Sequence, residues 1–128
     1  MIASSGNKGD GIRSDCFVEI SVQPEGGIHV RLQSKVESMY GNSIRQLCLD
    51  ILDFFGVKNA KVEITDSGAL PFVIAARLES AIHQVTDTEK VYLPPVVSQN
   101  KRTTGRDIRR RSRLYLPGDN PKLMLNAG

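Results

Sequence analysis

Cys16-Phe-Val-Glu-Ile-Ser-Val22 and Ile28-His-Val-Arg-Leu-Gln33, joined by Gln23-Pro-Glu-Gly-Gly27, decide the fold of this chain. In the first run Cys16, Val18, Ile20 and Val22 alternate with Phe17, Glu19 and Ser21; in the second Ile28, Val30 and Leu32 alternate with His29, Arg31 and Gln33. A two-residue period is that of a half-buried strand, and Pro24-Glu-Gly-Gly27 is turn chemistry, so the two runs are expected to pair as an antiparallel hairpin with one apolar face.

Working outward, the period then changes. Ser34-Lys-Val-Glu37 has the spacing of a capping box, in which serine and glutamate satisfy free amides of a helix's first turn. Val36, Tyr40, Ile44, Leu47, Cys48, Ile51, Leu52 and Phe55 follow at three- and four-residue steps, one stripe of a long helix ending at Gly56. Gly41 weakens that helix and is the place where it would break. Val62 and Ile64 alternate with Lys61 and Glu63 as a third strand. Asp66-Ser-Gly68 turns the chain into a second helix containing Leu70, Ile74, Leu78 and Ile82. The expectation is an α+β domain over residues 16–84, ordered ββαβα, its three-stranded sheet covered on one face by two helices.

The flanks differ from this core. Residues 1–15 hold several glycines, two adjacent serines and little that is apolar, the composition of a flexible arm. Residues 85–112 contain Pro94-Pro95 and then Lys101, Arg102, Arg106, Arg109, Arg110 and Arg111, a linker with a basic end. Residues 1–100 carry 9 Lys+Arg against 12 Asp+Glu, a net of −3, whereas residues 101–128 carry 8 against 2, a net of +6. From residue 113 onward, Leu114 to Leu116 reads as a strand, Asn120 as a cap and Pro121 as a first helical residue.

Much chemistry is disfavoured by what the core lacks. His29 on the outward strand face and His83 near a helix end read as solvated groups, and Glu37, Asp50, Asp53, Glu63 and Asp66 show no pairing by spacing. Gly26-Gly27 lies in a turn, and Gly6, Gly9 and Gly11 precede a strand rather than a helix, so no glycine loop cradles phosphate. Cys16 and Cys48 fall inside apolar patterns without metal-ligand spacing, which suggests buried free thiols and a reducing cytoplasm. No apolar stretch approaches the ~18 to 20 residues that span a bilayer. The basic run lacks interleaved aromatics, which argues against nucleic-acid binding. Ser14 stands apart: it joins the Gly-rich arm to the first strand, where a modifying enzyme can reach a hydroxyl. On local sequence alone an ordinary polar residue before a strand is the commoner explanation.

Gly11-Ile-Arg-Ser14-Asp-Cys-Phe-Val-Glu-Ile20, Ser34-Lys-Val-Glu-Ser-Met-Tyr-Gly41-Asn-Ser-Ile-Arg45, Asp66-Ser-Gly-Ala-Leu70 and Ala76-Arg-Leu-Glu79 together resemble the acyl carrier (gamma) subunit of citrate lyase over about residues 11–84, and more distantly the acyl carrier subunit of malonate decarboxylase. The resemblance implies a carrier that is not itself an enzyme. Its serine is joined by a phosphodiester to phosphoribosyl-dephospho-CoA, delivered as 2'-(5''-triphosphoribosyl)-3'-dephospho-CoA, whose thiol holds acetyl and then citryl groups. The matching position is Ser14, although Asp15 follows it directly where the family places a small residue or second serine before its Asp; Ser4 and Ser5 are more distant serines. The partners implied are an alpha-type transferase, a beta-type lyase and the holo-carrier synthase that attaches the group.

Arg111-Ser-Arg-Leu-Tyr-Leu-Pro-Gly-Asp-Asn-Pro-Lys-Leu-Met-Leu-Asn-Ala127 resembles the opening strand and helix of citrate lyase beta-type aldolases, which are TIM barrels. Residues 113–128 are accordingly expected to be the start of a truncated lyase domain, loosely packed because a lone parallel strand leaves its ladder unpaired. Other functions left open are an unmodified interaction scaffold and, less favoured, a nucleic-acid-binding domain using the basic run.

Overall fold

The computed structural model describes residues 1–93, 115–116 and 121–122. The chain divides into two compact units, Met1–Pro95 and Val96–Gly128. The first contains β1 (Ile2–Gly6), β2 (Cys16–Val22), β3 (Ile28–Ser34), α1 (Glu37–Phe54), β4 (Ala60–Asp66) and α2 (Pro71–Val85). It is α+β, as the periodicities indicate, with four strands rather than three. The sheet order is β1-β2-β4-β3.

The expected hairpin does not form. β2 and β3 are not hydrogen-bonded neighbours: β4 lies between them, antiparallel to β2 (Val22 opposite Ala60, Cys16 opposite Asp66) and parallel to β3 (Ile28 opposite Ala60, Ser34 opposite Asp66). Alternation reports which face a strand buries, not which strand it pairs with. Crossing one intervening strand is a step of only ~9.6 Å, well within reach of residues 23–27. Asn59 secures that crossing. Its Oδ1 accepts from the Gly27 amide (2.8 Å), its Nδ2 donates to the Pro24 carbonyl (3.2 Å), and its own carbonyl accepts from the Gln23 amide (3.0 Å).

The N-terminal segment, expected as a flexible arm, supplies edge strand β1, antiparallel to β2 from Ile2 opposite Ser21 to Gly6 opposite Phe17. Its backbone earns the place where its side chains do not. Beyond the ladder the Val22 amide donates to the Met1 carbonyl and the Asn7 amide to the Cys16 carbonyl, while Gln84 on α2 donates to the Ser4 carbonyl. Ala3 is its single buried apolar residue.

α2 lies against β1 and β2, α1 against β3, and the helices touch each other. Val18, Ile20, Val62 and Ile64 from the sheet meet Cys48, Ile51 and Leu52 from α1 and Ile74, Leu78 and Ile82 from α2 in one core. α1 runs unbroken through Gly41, which is buried beneath the Glu37–Arg45 ion pair, and ends at Phe54 with Gly56 in the left-handed conformation (φ 74°) just beyond it. The capping box does not form: Ser34 is the last residue of β3 and the helix makes no side-chain cap. After α2, residues 86–93 fold back, with Tyr92 edge-on to Phe54 (5.4 Å between ring centres) and its amide donating to Glu79.

The expectations for residues 94–114, 117–120 and 123–128 lie outside the described residues. Tyr115 and Leu116, placed within the expected strand, are not in one, and Pro121 and Lys122 are helical. Among the described residues no helix is long and apolar enough to cross a membrane.

Candidate functional site

One end of the sheet gathers the chemistry. There β2 begins at Cys16, β3 ends at Ser34 and β4 ends at Asp66. The β2–β4 pairing runs one rung further, since the Ser14 amide donates to the Ser67 carbonyl (3.1 Å) and the Ser67 amide to the Asp15 carbonyl (3.0 Å). Ser14 is exposed and has φ 56°, the only non-glycine positive φ among the described residues. Left-handed backbone costs an L-residue about 1–2 kcal/mol, so it persists only where the surroundings over-determine it.

The surroundings do so through Asp15. Arg77 on α2 grips its carboxylate with both arms of the guanidinium, Nε to Oδ1 (3.1 Å) and Nη2 to Oδ2 (2.9 Å). Asn7 Nδ2 donates to Oδ2 (2.9 Å) and the Cys16 amide to Oδ1 (2.8 Å). With Arg77 foremost, then Asn7 and the Cys16 amide, all favouring the charged form, the carboxyl is held down at about 2. Gly6 makes the approach possible: a Cβ there would overlap the Cys16 carbonyl oxygen and crowd Arg77 Cδ at 3.3 Å.

A second carboxylate organises the neighbouring loop. Asp66 is buried, its Oδ2 accepting from Ser34 Oγ (2.6 Å) and its Oδ1 from the amides of Gly68 (3.1 Å) and Ala69 (2.7 Å). Ser34 Oγ in turn accepts from the Val36 amide (3.1 Å), tying the start of α1 to the same point. Two hollows flank the Asp66–Ala69 loop. One, of about 420 Å³, is lined by Gly9, Gly11, Ser34, Lys35, Asp66 and Ser67 among others; the other, of about 490 Å³, is apolar, with Val36, Tyr40, Ile44, Leu47, Leu70 and Ile74 in its walls.

The remaining candidates are dispersed. His29 contacts the Gly26 carbonyl (3.0 Å), His83 faces Glu79 (3.6 Å) and the edge of Phe55, Glu63 pairs with Lys61, and Asp50 accepts from Gln46. Among the described residues no group of His, Cys, Asp and Glu is placed to hold a metal ion. Cys16 and Cys48 are buried free thiols, as expected, both pushed up to about 12 chiefly by desolvation. The sequence reading missed Asn7, Asp15 and Arg77 as a unit and read Asp66 as an unpaired surface acid. The one available signal was that the motifs Gly11–Ile20, Ser34–Arg45, Asp66–Leu70 and Ala76–Glu79 contain Ser14, Asp15, Ser34, Asp66 and Arg77. In the fold the four stretches are linked in a chain of contacts, Ser34 to Asp66, Ser67 to Ser14 and Asp15, and Asp15 to Arg77.

Residues 9–85 match the family model described as ACP: malonate decarboxylase delta subunit (MdcD). The chain belongs to this acyl carrier family. It is similar to the citrate lyase acyl carrier protein of Vibrio cholerae serotype O1 (strain M66-2), 41% identical over 78 residues, 61% of this chain and 80% of that protein. The protein of the same description from Streptococcus mutans serotype c is 40% identical over 76 residues (59% of this chain, 74% of the relative), and that from Fusobacterium nucleatum subsp. nucleatum 29% identical over 75 residues (59% and 80%). The role of the carrier domain is therefore that of an acyl carrier.

Proposed function

We propose that this carrier serves a citrate lyase-type system and that Ser14 is where its prosthetic group is attached. The observation that carries the proposal is an exposed serine in the left-handed region, its backbone bonded to Ser67 and that of Asp15 beside it bonded to Ser67 in return, within the Gly11–Ile20 stretch that carries the resemblance. The hydroxyl is reachable by phosphoribosyl-dephospho-CoA, and the hollow beside the Asp66–Ala69 loop sets Lys35 and Ser67, donors suited to phosphate oxygens, alongside the acidic side chains of Asp10 and Asp66.

In attachment, Ser14 Oγ bonds to the phosphorus nearest the ribose of a triphosphoribosyl donor. The P–O bond to the next phosphate breaks, pyrophosphate leaves with the bonding pair, and the serine proton passes to a base of the holo-carrier synthase or to water. Once bound, the group supplies a thiol whose thioester activates the acyl carbonyl, on a tether that makes each visit to a partner site effectively intramolecular. Ser14 anchors that tether, while Asp15, Arg77 and Asp66 keep its base rigid.

The partners on this account are an alpha-type transferase, a beta-type lyase and the synthase, and the compartment is the cytoplasm, in keeping with two free thiols. Residues 113–128, by their resemblance to a lyase barrel's first strand and helix, would hold the lyase next to its carrier, with residues 85–112 as the linker. Incubating the purified chain with synthase and the triphosphoribosyl donor tests the proposal: a mass gain equal to the donor less pyrophosphate is expected, and Ser14→Ala abolishes it. A gain that survives Ser14→Ala contradicts the assignment, whether it lies on Ser4, Ser5 or elsewhere.

A further inference from the structure

We infer that Arg77, 63 residues downstream of Ser14, is a positioning residue for attachment at Ser14, acting through its two-armed grip on Asp15. The inference rests on Ser14 being the attachment site and adds to it a cause for the serine's conformation. Ser14 occupies a backbone region that serine does not choose for itself, and strain of this kind at a reactive residue is kept where it has a use. On its N-terminal side the backbone is secured by one bond, from the Ser14 amide to Ser67. On its C-terminal side it is secured by the Asp15 carbonyl bond from Ser67 and by the Asp15 side chain, held from three directions by Asn7, the Cys16 amide and Arg77.

Of these holders Arg77 is the one that belongs to a helix. Asn7 lies on the β1–β2 connection and the Cys16 amide is Asp15's own neighbour in the chain, whereas Arg77 reaches in from a separate element, α2, packed into the core through Ile74, Leu78, Ala81 and Ile82. Arg77 thus references the 14–15 bend to the rigid body of the domain. Gly6 is shaped to the same end, leaving room beside Cys16 and Arg77 Cδ that a larger residue would fill. The guanidinium makes two parallel bonds in one plane, which a lysine ammonium cannot reproduce, so the grip fixes orientation as well as charge.

The test compares wild type, Arg77→Gln, Arg77→Lys, Asp15→Asn and the Asp15→Asn/Arg77→Gln double variant, with Cys48→Ala as a destabilised control whose side chain lies in the core on α1. Two quantities are read: kcat/KM for mass gain with synthase and the triphosphoribosyl donor, and exchange of the Ser14 amide followed by NMR in the unmodified protein. Arg77→Gln is expected to lower kcat/KM on the order of tenfold to a hundredfold, the penalty of a misplaced reacting group, and to speed Ser14 exchange while distant strand amides stay protected. Arg77→Lys falls between, and the double variant is no slower than the slower single, because the two residues act as one unit. Cys48→Ala stays close to wild type in both readouts despite a lower Tm.

Wild-type rate and Ser14 protection in Arg77→Gln would overturn the inference, as would a loss no greater than that of Cys48→Ala. Should Arg77→Gln not fold, Arg77→Lys decides alone, and equality with wild type in both readouts refutes the role. Failure of the underlying assignment looks different: wild type itself gains no mass at Ser14.

Discussion

The two ends of this sheet are tied down by different chemistry. Where β4 starts, the neutral amide of Asn59 and the backbone beside it hold the crossing from β2 to β3. Where β4 stops, two carboxylates do the holding, Asp66 for the loop that leads into α2 and Asp15, through Arg77, for the approach to β2. Neutral hydrogen bonds suffice for a turn whose positive φ values fall on Gly26 and Gly27, which adopt them freely. The charged end instead imposes such a conformation on a serine. The contrast teaches that the charged groups at this end of the sheet serve backbone geometry, beside an exposed serine.

The largest expected effect comes from breaking the charged end at its buried member. Asp66→Ala leaves the Ser34 hydroxyl and the Gly68 and Ala69 amides without their acceptor, and urea unfolding should show a loss of about 3 kcal/mol or more. Asn59→Ala breaks the neutral end and should lose about 1–2 kcal/mol, leaving Ser14 amide exchange as it was.

Acid separates the ends more finely. Because the Asp15 carboxyl is lowered from 3.8 to about 2 by folding, the unfolded chain takes up its proton first. The stability it contributes is full above about pH 4 and disappears as pH falls toward 2. Acid titration of Arg77→Gln should show a shallower dependence in that window, whereas Asn59→Ala should keep the wild-type slope. In alkali the sign is set by the thiols: Cys16 and Cys48, raised from 9.0 to about 12, lose stability to the ionised unfolded chain above about pH 9. At pH 8 both should resist a thiol reagent until the protein unfolds. The smallest effect is Ser14→Gly. A glycine substitution commonly costs about 0.5–1 kcal/mol within regular structure, but here it should be neutral or slightly stabilising, because glycine adopts positive φ without penalty.

Much of the fold was legible because burial has a period. The two-residue alternation of Cys16 to Val22, Ile28 to Leu32 and Lys61 to Ile64 marked three strands correctly, and the stripe from Ile44 to Leu52 marked α1. Pairing was not legible: nothing in residues 23–27 tells a hairpin from a step across β4, since the deciding contacts come from Asn59, more than thirty residues away. β1 was missed because an edge strand held by its backbone needs no apolar pattern, and Ala3 alone gives none. The Ser34–Glu37 spacing misled because Ser34 found a stronger partner in the Asp66 carboxylate. At the site, Ser14 was singled out by its place in the chain, but the Asp15–Arg77 pair spans 62 residues and only the fold brings it together.

The most direct test of the central claim is peptide mapping of the protein purified from a host that makes the synthase and the triphosphoribosyl donor. The expected result is phosphoribosyl-dephospho-CoA on the peptide containing Ser14, at near-full occupancy. An unmodified Ser14 in cells whose lyase is active, or the group found on another residue, would contradict the account.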